Sequence, residues 1–191
     1  MTGATRTIAV PTPEAMEELG RRLGARLRAG DLVVLVGELG AGKTTLTRGI
    51  GEGMGVRGAV ASPTFVLARV HPSLTGGAPL VHVDAYRLGS AAELDDLDLD
   101  FEASATVVEW GEGLLDGVAE SWLTIRIERP VGGDIGENGE SEDSGSGSGT
   151  STSRESLETL DDPEALVAER TVTLEPHGPR WDDQAIQEVI G

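Results

Sequence analysis

The chain has 191 residues, of which 38% are hydrophobic and only 3% aromatic, so it can bury one core of ordinary size built from aliphatic side chains. Its formal net charge of −18 repels phosphate backbones and disfavours direct binding to RNA or DNA. Cysteine is absent and no apolar run approaches the roughly 20 residues that cross a bilayer, so we predict a cytoplasmic protein without disulfides, thiolate metal sites or membrane attachment.

The first predicted elements are a short strand and an amphipathic helix. Residues 7–10 are β-prone, and Thr12 followed by Pro13 is typical of the start of a helix. Apolar residues then recur at spacings of three and four, which predicts one stripe that packs on a sheet. These residues are Met16, Leu19, Leu23 and Leu27. Gly30 is predicted to end the helix.

Alternating strands and helices are predicted over the next hundred residues. Leu32–Val36 is a continuous apolar run of the kind that is buried on both faces of a parallel sheet. Residues 44–54 are predicted to form a helix in spite of three glycines. Further strands are predicted at 65–70, 80–84, 106–110 and 123–128, with a short helix at 91–97. This alternation indicates an α/β layer fold with a largely parallel sheet.

The segment from about 131 to 169 is acidic and rich in glycine and serine. It holds 11 acidic residues and one basic residue, and so carries 10 of the 18 net negative charges. It has few apolar residues to offset the entropy of ordering it, so we interpret it as a flexible insertion. We favour an inert linker over a regulatory segment. The whole chain, residues 1–191, is then a single domain. After it, 171–174 is predicted to be a returning strand and 181–190 a short helix or frayed tail.

The strongest motif is the loop after Leu32–Val36, which has the pattern G-x-x-x-x-G-K-[ST]. It consists of Gly37, Glu38, Leu39, Gly40, Ala41, Gly42, Lys43 and Thr44. Glycines let the backbone N–H groups point at phosphate oxygens, and the following helix adds its positive end. Lys43, the only lysine in the chain, supplies a full charge to the β- and γ-phosphates, and Thr44 can ligate Mg²⁺. The motif predicts a P-loop NTPase-like three-layer sandwich with a mostly parallel central sheet.

Two carboxylates end predicted strands, Asp84 and Glu109. Because ligands bind beyond the carboxyl ends of strands in open α/β sheets, we expect both to converge beside the loop. One could hold Mg²⁺, directly or through water, and the other could orient the attacking water; a helix-capping role is the alternative for each. His82 shares a face with Asp84, and a structural role is favoured for it. P-loop GTPases recognise guanine through an N-K-x-D or T-K-x-D element, which contains a lysine. Because Lys43 is the only lysine in this chain, ATP is favoured over GTP.

Four blocks of residues resemble the bacterial TsaE family, also called YjeE, whose members are P-loop ATPases needed for threonylcarbamoyladenosine modification of tRNA. The blocks are 37–49, Ser62-Pro63-Thr64-Phe65, 82–88 and Val108-Glu109-Trp110. The resemblance covers about residues 6–130 and again about 170–175. The chain departs from the family pattern at Met16, where members usually carry a threonine near the adenine, and at Ala85, where leucine is common.

The resemblance implies roles for individual residues and for partners. It makes Thr64 a nucleotide sensor, Asp84 part of the hydrolytic site and Glu109 a ligand of Mg²⁺. The residues implied to contact the nucleotide are those of the loop together with Thr45, Trp110 and Arg170. The implied partners are TsaD and TsaB, of which TsaD carries the transfer chemistry and is reset by ATP hydrolysis, so that tRNA is contacted only through these partners.

Two other functions stay open. A small-molecule kinase needs a lid whose arginines close over the phosphates, whereas segment 131–169 has only Arg154 and is strongly acidic. A nucleotide-gated binding module with negligible hydrolysis differs from an ATPase only in whether phosphate release matters. Intrinsic turnover is expected to be slow, because no arginine finger is evident beside the loop and Arg87 and Arg170 are only candidates.

Overall fold

A computed structural model describes residues 2–63, 66–88, 93, 99–113, 119–130 and 169–191. The strands are β1 (Arg6–Val10), β2 (Leu32–Val36), β3 (Ala68–His71), β4 (Leu80–Asp84), β5 (Ala105–Glu109), β6 (Trp122–Glu128) and β7 (Arg170–His177). The helices are α1 (Pro13–Gly24), α2 (Lys43–Met54) and α3 (Asp183–Ile190), with a 3₁₀ turn at Ala85–Arg87. No helix in these ranges has the length and apolar character required to cross a bilayer.

The seven strands form one mixed sheet in the order β1-β7-β6-β2-β5-β4-β3. The four central strands, β6, β2, β5 and β4, run parallel, which confirms the predicted α/β fold with a mostly parallel central sheet. Strands β1, β7 and β3 are joined to them by antiparallel pairing. Because parallel strands end at the same edge of a sheet, the residues that follow β2, β4, β5 and β6 lie together at one edge.

The core lies on both faces of this sheet. On one face, apolar side chains of α1, α2 and α3 pack with Leu35, Leu123 and Ile125. On the other face, Val34 and Val108 belong to a smaller apolar cluster. The prediction that β2 is a strand buried on both faces is therefore confirmed.

Glycines allow α1 and α2 to pack so closely that their backbones are in contact. A Cβ atom at Gly20 would collide with the carbonyl oxygen of Leu46, and one at Gly24 would collide with that of Ile50. Gly49 of α2 is crowded in the same way by the backbone of α1. A glycine inside a helix costs up to about 1 kcal/mol relative to alanine, and this close packing offsets the cost. The predicted helix over 44–54 is thus confirmed in spite of its glycines.

Helix α1 ends at Gly24, so the prediction that it extends to Gly30 is wrong. The backbone N–H of Arg28 donates to the Asp31 carboxylate at 3.0 Å. This side-chain bond offers the backbone an alternative to a further helical turn and directs the chain into β2. Gly30 has a φ of 82°, a left-handed conformation that completes the turn.

Other predicted segments differ at their ends or lie outside the described residues. Strand β3 begins at Ala68 rather than at 65, because Leu67 has a φ of 64° that interrupts an extended chain. Trp181 is fully buried and precedes α3, whose N-cap is Asp182, so it is neither helical nor frayed. The predicted helix 91–97 and the insertion 131–169 lie outside the described residues except for their single residues 93 and 169.

Arg180 ties the C-terminal tail to the turn between α1 and β2. Its Nε and Nη2 atoms each donate to an oxygen of Asp31 at 2.8 Å, and Asp31 is only 5% exposed. We expect Arg180→Ala to lower the free energy of unfolding by about 3 kcal/mol, because it leaves a buried carboxylate without its cationic partner. Urea denaturation followed by circular dichroism measures this change.

The control for this variant is Arg26→Ala, which removes an exposed ion pair with Glu188. We expect that change to cost less than about 1 kcal/mol, because exposed pairs contribute little. Equal losses of free energy of unfolding in the two variants would show that the ion pair between Arg180 and Asp31 stabilises the fold no more than an exposed pair does.

Candidate functional site

The loop between β2 and α2 forms a cradle for an anion. Gly40 and Gly42 have φ values of 74° and 119°, which side chains other than glycine rarely adopt. Gly42 also stands at the N-cap of α2 and provides no side-chain hydrogen bond to the first turn. The free N–H groups of that turn, together with the positive end of the helix, are therefore available to bind a negatively charged group.

The Lys43 side chain is folded into this loop. Its Nζ atom donates to the carbonyl oxygens of Gly37 at 2.7 Å and Glu38 at 2.9 Å, and lies 3.8 Å from the centroid of the Trp110 ring. Burial lowers the pKa of this ammonium below its ordinary value, while nearby carboxylates act in the opposite direction. The loop thus holds one positive charge that is solvated by protein dipoles rather than by water.

The two predicted carboxylates both lie beside the loop. Glu109 is 3% exposed, and its Oε1 atom accepts a hydrogen bond from the Thr44 hydroxyl at 3.3 Å. Asp84 is 4% exposed and stands opposite Glu109 in the register of β4 and β5. The Oδ1 atom of Asp84 accepts the Tyr86 N–H at 3.1 Å and so caps the 3₁₀ turn. Because a carboxylate has two oxygens, this capping role leaves Asp84 able to act in the cavity as well.

A cavity of about 490 Å³ brings the predicted residues together. It is lined by Leu39, Gly40, Gly42, Lys43, Thr44, Thr45, Ser62, Asp84, Glu109 and Trp110. A smaller cavity of about 80 Å³ borders the same loop, and Met16, Thr45 and Arg170 are among its lining residues. Thr64, the predicted nucleotide sensor, lies outside the described residues.

Two arginines contact the carbonyl groups of the loop. Arg170 donates to the Ala41 oxygen at 3.3 Å, and Arg129 donates to the Leu39 oxygen at 2.9 Å. Burial lowers the pKa of Arg170, and the positive charge of Arg129 adds to this effect. From the sequence, Arg170 is predicted to contact the nucleotide, whereas no such contact is predicted for Arg129. Arg129 directly follows β6, so the rule that predicts the two carboxylates from strand ends would have found it.

Trp110 lies at the wall of the cavity in an unusual backbone conformation. Its φ is 63°, and among the described residues only Leu67 is another non-glycine residue with a positive φ. The Trp110 ring packs edge-on against Tyr86, with centroids 5.6 Å apart. Such conformations cost about 1–3 kcal/mol and are concentrated at functional sites. Trp110 is therefore held against Lys43 rather than packed in the core.

The side chains in the cavity suit a hard cation. Thr44, Asp84 and Glu109 offer only oxygen atoms, the ligands that Mg²⁺ prefers. In the part of the chain that is described, no group of three or more His, Asp or Glu side chains could hold a metal by itself. Mg²⁺ usually takes one or two carboxylates together with water and phosphate oxygens, so this donor set fits a metal that arrives with a nucleotide.

Comparison with known proteins identifies relatives of this chain. The family described as Threonylcarbamoyl adenosine biosynthesis protein TsaE matches residues 10–133. The tRNA threonylcarbamoyladenosine biosynthesis protein TsaE of Streptomyces coelicolor is 68% identical over 120 residues, which cover 61% of this chain and 81% of that protein. The protein of the same name from Mycobacterium tuberculosis H37Rv is 52% identical over 136 residues, covering 66% and 80% of the two chains.

The overall fold is also similar to a solved structure. The crystal structure of YdiB from Bacillus subtilis has a TM-score of 0.63 to this chain at 24% identity, covering 100% of this chain and 96% of that one. The family match includes the loop, both carboxylates and Trp110, and it confirms the resemblance that these residues predict. This chain therefore belongs to the TsaE family of threonylcarbamoyl adenosine biosynthesis proteins.

Proposed function

We propose that this chain binds ATP with Mg²⁺ at the loop 37–44 and hydrolyses it slowly, in support of threonylcarbamoylation of adenosine in tRNA together with homologues of TsaD and TsaB. The observation that carries the proposal is the convergence of Lys43, Thr44, Asp84 and Glu109 on one cavity at the carboxyl edge of parallel strands. Membership of the TsaE family supports the pathway.

Each group at the cavity has a role in this proposal. The loop binds the phosphates through its backbone N–H groups, and Lys43 exchanges its carbonyl partners for the β- and γ-phosphates. Thr44 and Glu109 would hold Mg²⁺, with Asp84 as a further oxygen donor in the same cavity. When bound, the metal would supply positive charge to the phosphates. Asp84 orients the attacking water with the oxygen that does not cap the 3₁₀ turn.

Slow hydrolysis is consistent with the positions of the arginines. No arginine of the described residues lines the cavity that contains Asp84 and Glu109. Arg129 and Arg170 instead donate to carbonyl groups of the loop. An arginine finger contributes about 10³–10⁵ to the rate in enzymes that use one, so we expect the isolated chain to lack that contribution.

The charge of the chain favours an indirect relation to tRNA. A net charge of −18 opposes the approach of a polyanion, whereas Lys43, Arg129 and Arg170 provide a local positive field for one triphosphate. Partners that carry their own tRNA-binding surface are therefore required, and the TsaD and TsaB homologues are the proposed ones.

The proposal is tested by phosphate release from ATP and by a pull-down with TsaD and TsaB from the same organism. We expect slow, Mg²⁺-dependent release of phosphate from ATP and recovery of both partners in the presence of ATP. GTP is the control nucleotide, and we expect it to bind more weakly than ATP. A chain that binds no ATP would contradict the site, and failure to recover the partners with any nucleotide would contradict the pathway. Phosphorylation of an added small molecule faster than hydrolysis would indicate a kinase instead.

A further inference from the structure

We propose that His82 is a positioning residue that holds Glu109 in the orientation in which its carboxylate ligates Mg²⁺, an inference that rests on the proposed function of the cavity. His82 lies on β4 and is fully buried. Its Nε2 atom is 2.9 Å from Oε1 of Glu109 on the neighbouring strand β5. No other histidine of the described residues contacts either cavity carboxylate.

A histidine at this position is not explained by packing alone. Leu80, two residues earlier on the same face of β4, belongs to the apolar core under the helices. An aliphatic side chain would fill the site of His82 without a polar penalty, whereas a buried imidazole costs free energy unless it is hydrogen-bonded. Glu109 is the one hydrogen-bond partner of the ring within the described residues.

The direction of this hydrogen bond follows from the chemistry of the two groups. An ionised carboxylate can only accept a hydrogen bond, so the Nε2–H group of His82 donates the bond to Oε1 of Glu109. The other ring nitrogen, Nδ1, is buried and has no hydrogen-bond partner in the described part of the chain. Among the described residues, Glu109 is therefore the only hydrogen-bonding group that orients the buried ring, and packing holds the rest of it.

Oε1 of Glu109 receives two hydrogen bonds, one from His82 and one from the Thr44 hydroxyl at 3.3 Å. No donor among the described residues contacts Oε2, and Glu109 lines the cavity. Two donors from different elements fix the rotation of the carboxylate and leave its second oxygen for a cation. Carboxylates that ligate metals are commonly hydrogen-bonded in this way, and loss of such a partner costs about 10- to 100-fold in metal affinity.

The experiment compares ATP binding by calorimetry in EDTA and over a series of Mg²⁺ concentrations. We expect His82→Leu to need about tenfold more Mg²⁺ for the same gain in ATP affinity, with its affinity in EDTA close to that of the unaltered chain. His82→Gln should restore the Mg²⁺ response, because the glutamine amide nitrogen reaches about as far as Nε2. His82→Asn should not restore it, because its amide is too short to reach Glu109.

His71→Leu is the matched control. His71 is also buried, lies on the adjacent strand β3 and has an Nε2 atom without a partner among the described residues. It makes no hydrogen bond to Glu109, whose bonds come from His82 and Thr44. We expect its replacement to leave the Mg²⁺ response unchanged, and thermal unfolding verifies that each variant is folded.

The possible results separate this inference from the function on which it rests. If His82→Leu does not fold, the comparison of the glutamine and asparagine variants decides. Equal losses of affinity with and without Mg²⁺, or indistinguishable Gln and Asn variants, would overturn the positioning role and leave the proposed function standing. An unaltered chain whose ATP affinity does not respond to Mg²⁺ would overturn both.

Discussion

Lys43→Ala is expected to lower the affinity for ATP by at least about 100-fold and to abolish measurable hydrolysis. Lys43 is 5% exposed and its ammonium group lies inside the loop 37–44, where it donates to two carbonyl oxygens. Its removal takes away the one full positive charge that lines the cavity among the described residues. Calorimetry with ATP and Mg²⁺ measures the affinity, and phosphate release measures the turnover.

Two further variants sharpen the test of Lys43. Arg48→Ala removes a cation from the same helix, but Arg48 is paired with Glu17 at 2.8 Å and lies outside the cavity, so we expect ATP binding to be unchanged. Lys43→Arg keeps the charge but introduces a broad planar group in place of a compact ammonium, and we expect it to be impaired as well. Full ATPase activity in Lys43→Ala would refute the assignment of the phosphate site.

Local patterns in the sequence were sufficient to predict the centre of the fold. The apolar run Leu32–Val36, which Gly30-Asp31 precedes and Gly37 follows, specifies a buried strand, and the loop motif specifies the turn and helix after it. Asp84 and Glu109 each end a strand, and parallel topology brings such residues to one edge whatever the details of packing. The convergence of the main cavity residues therefore follows from topology and short motifs.

The outer strands were predicted from local patterns, but their pairing could not be predicted in the same way. Strand β1 pairs with β7, so that Arg6 stands opposite Leu174, and no local periodicity encodes a pairing across most of the chain. A second antiparallel pairing, of β7 with β6, brings Arg170 and Arg129 to the loop although they are far apart in the chain. Resemblance to a family predicted Arg170. The strand-end rule would have drawn attention to Arg129, but its contact with the Leu39 carbonyl follows only from the folded sheet.

Contacts between side chains on neighbouring strands also depend on register rather than on residue type. For a lone histidine in a strand, a structural role is favoured, and the residues around His82 in the sequence do not indicate its hydrogen-bond partner. In the sheet, His82 stands opposite Val107 and Asp84 stands opposite Glu109, so the imidazole can reach Glu109 diagonally. The left-handed backbone of Trp110, which brings its ring to Lys43, is likewise a property of the folded edge.

Asp84→Asn is expected to keep ATP binding and to lower turnover by about 100-fold or more, because it removes the charge that we propose orients the attacking water. The amide oxygen of asparagine can still accept the Tyr86 N–H, which Asp84 now accepts at 3.1 Å, so the 3₁₀ turn should be preserved. Single-turnover phosphate release measures the rate, and calorimetry measures binding. Asp100→Asn is the control, because Asp100 also accepts a nearby backbone N–H, that of Ala103 at 3.0 Å, yet is exposed and lies outside the cavity.

The Asp84 variant also separates an ATPase from a nucleotide-gated module. If hydrolysis itself is required, cells whose only copy carries Asp84→Asn should lose threonylcarbamoyladenosine from their tRNA although the variant still binds ATP. Normal modification in such cells would mean that binding alone suffices and that phosphate release is incidental. A loss of Mg²⁺-dependent binding in the purified variant would instead make Asp84 a ligand of the metal, because a neutral amide replaces a carboxylate poorly in that role.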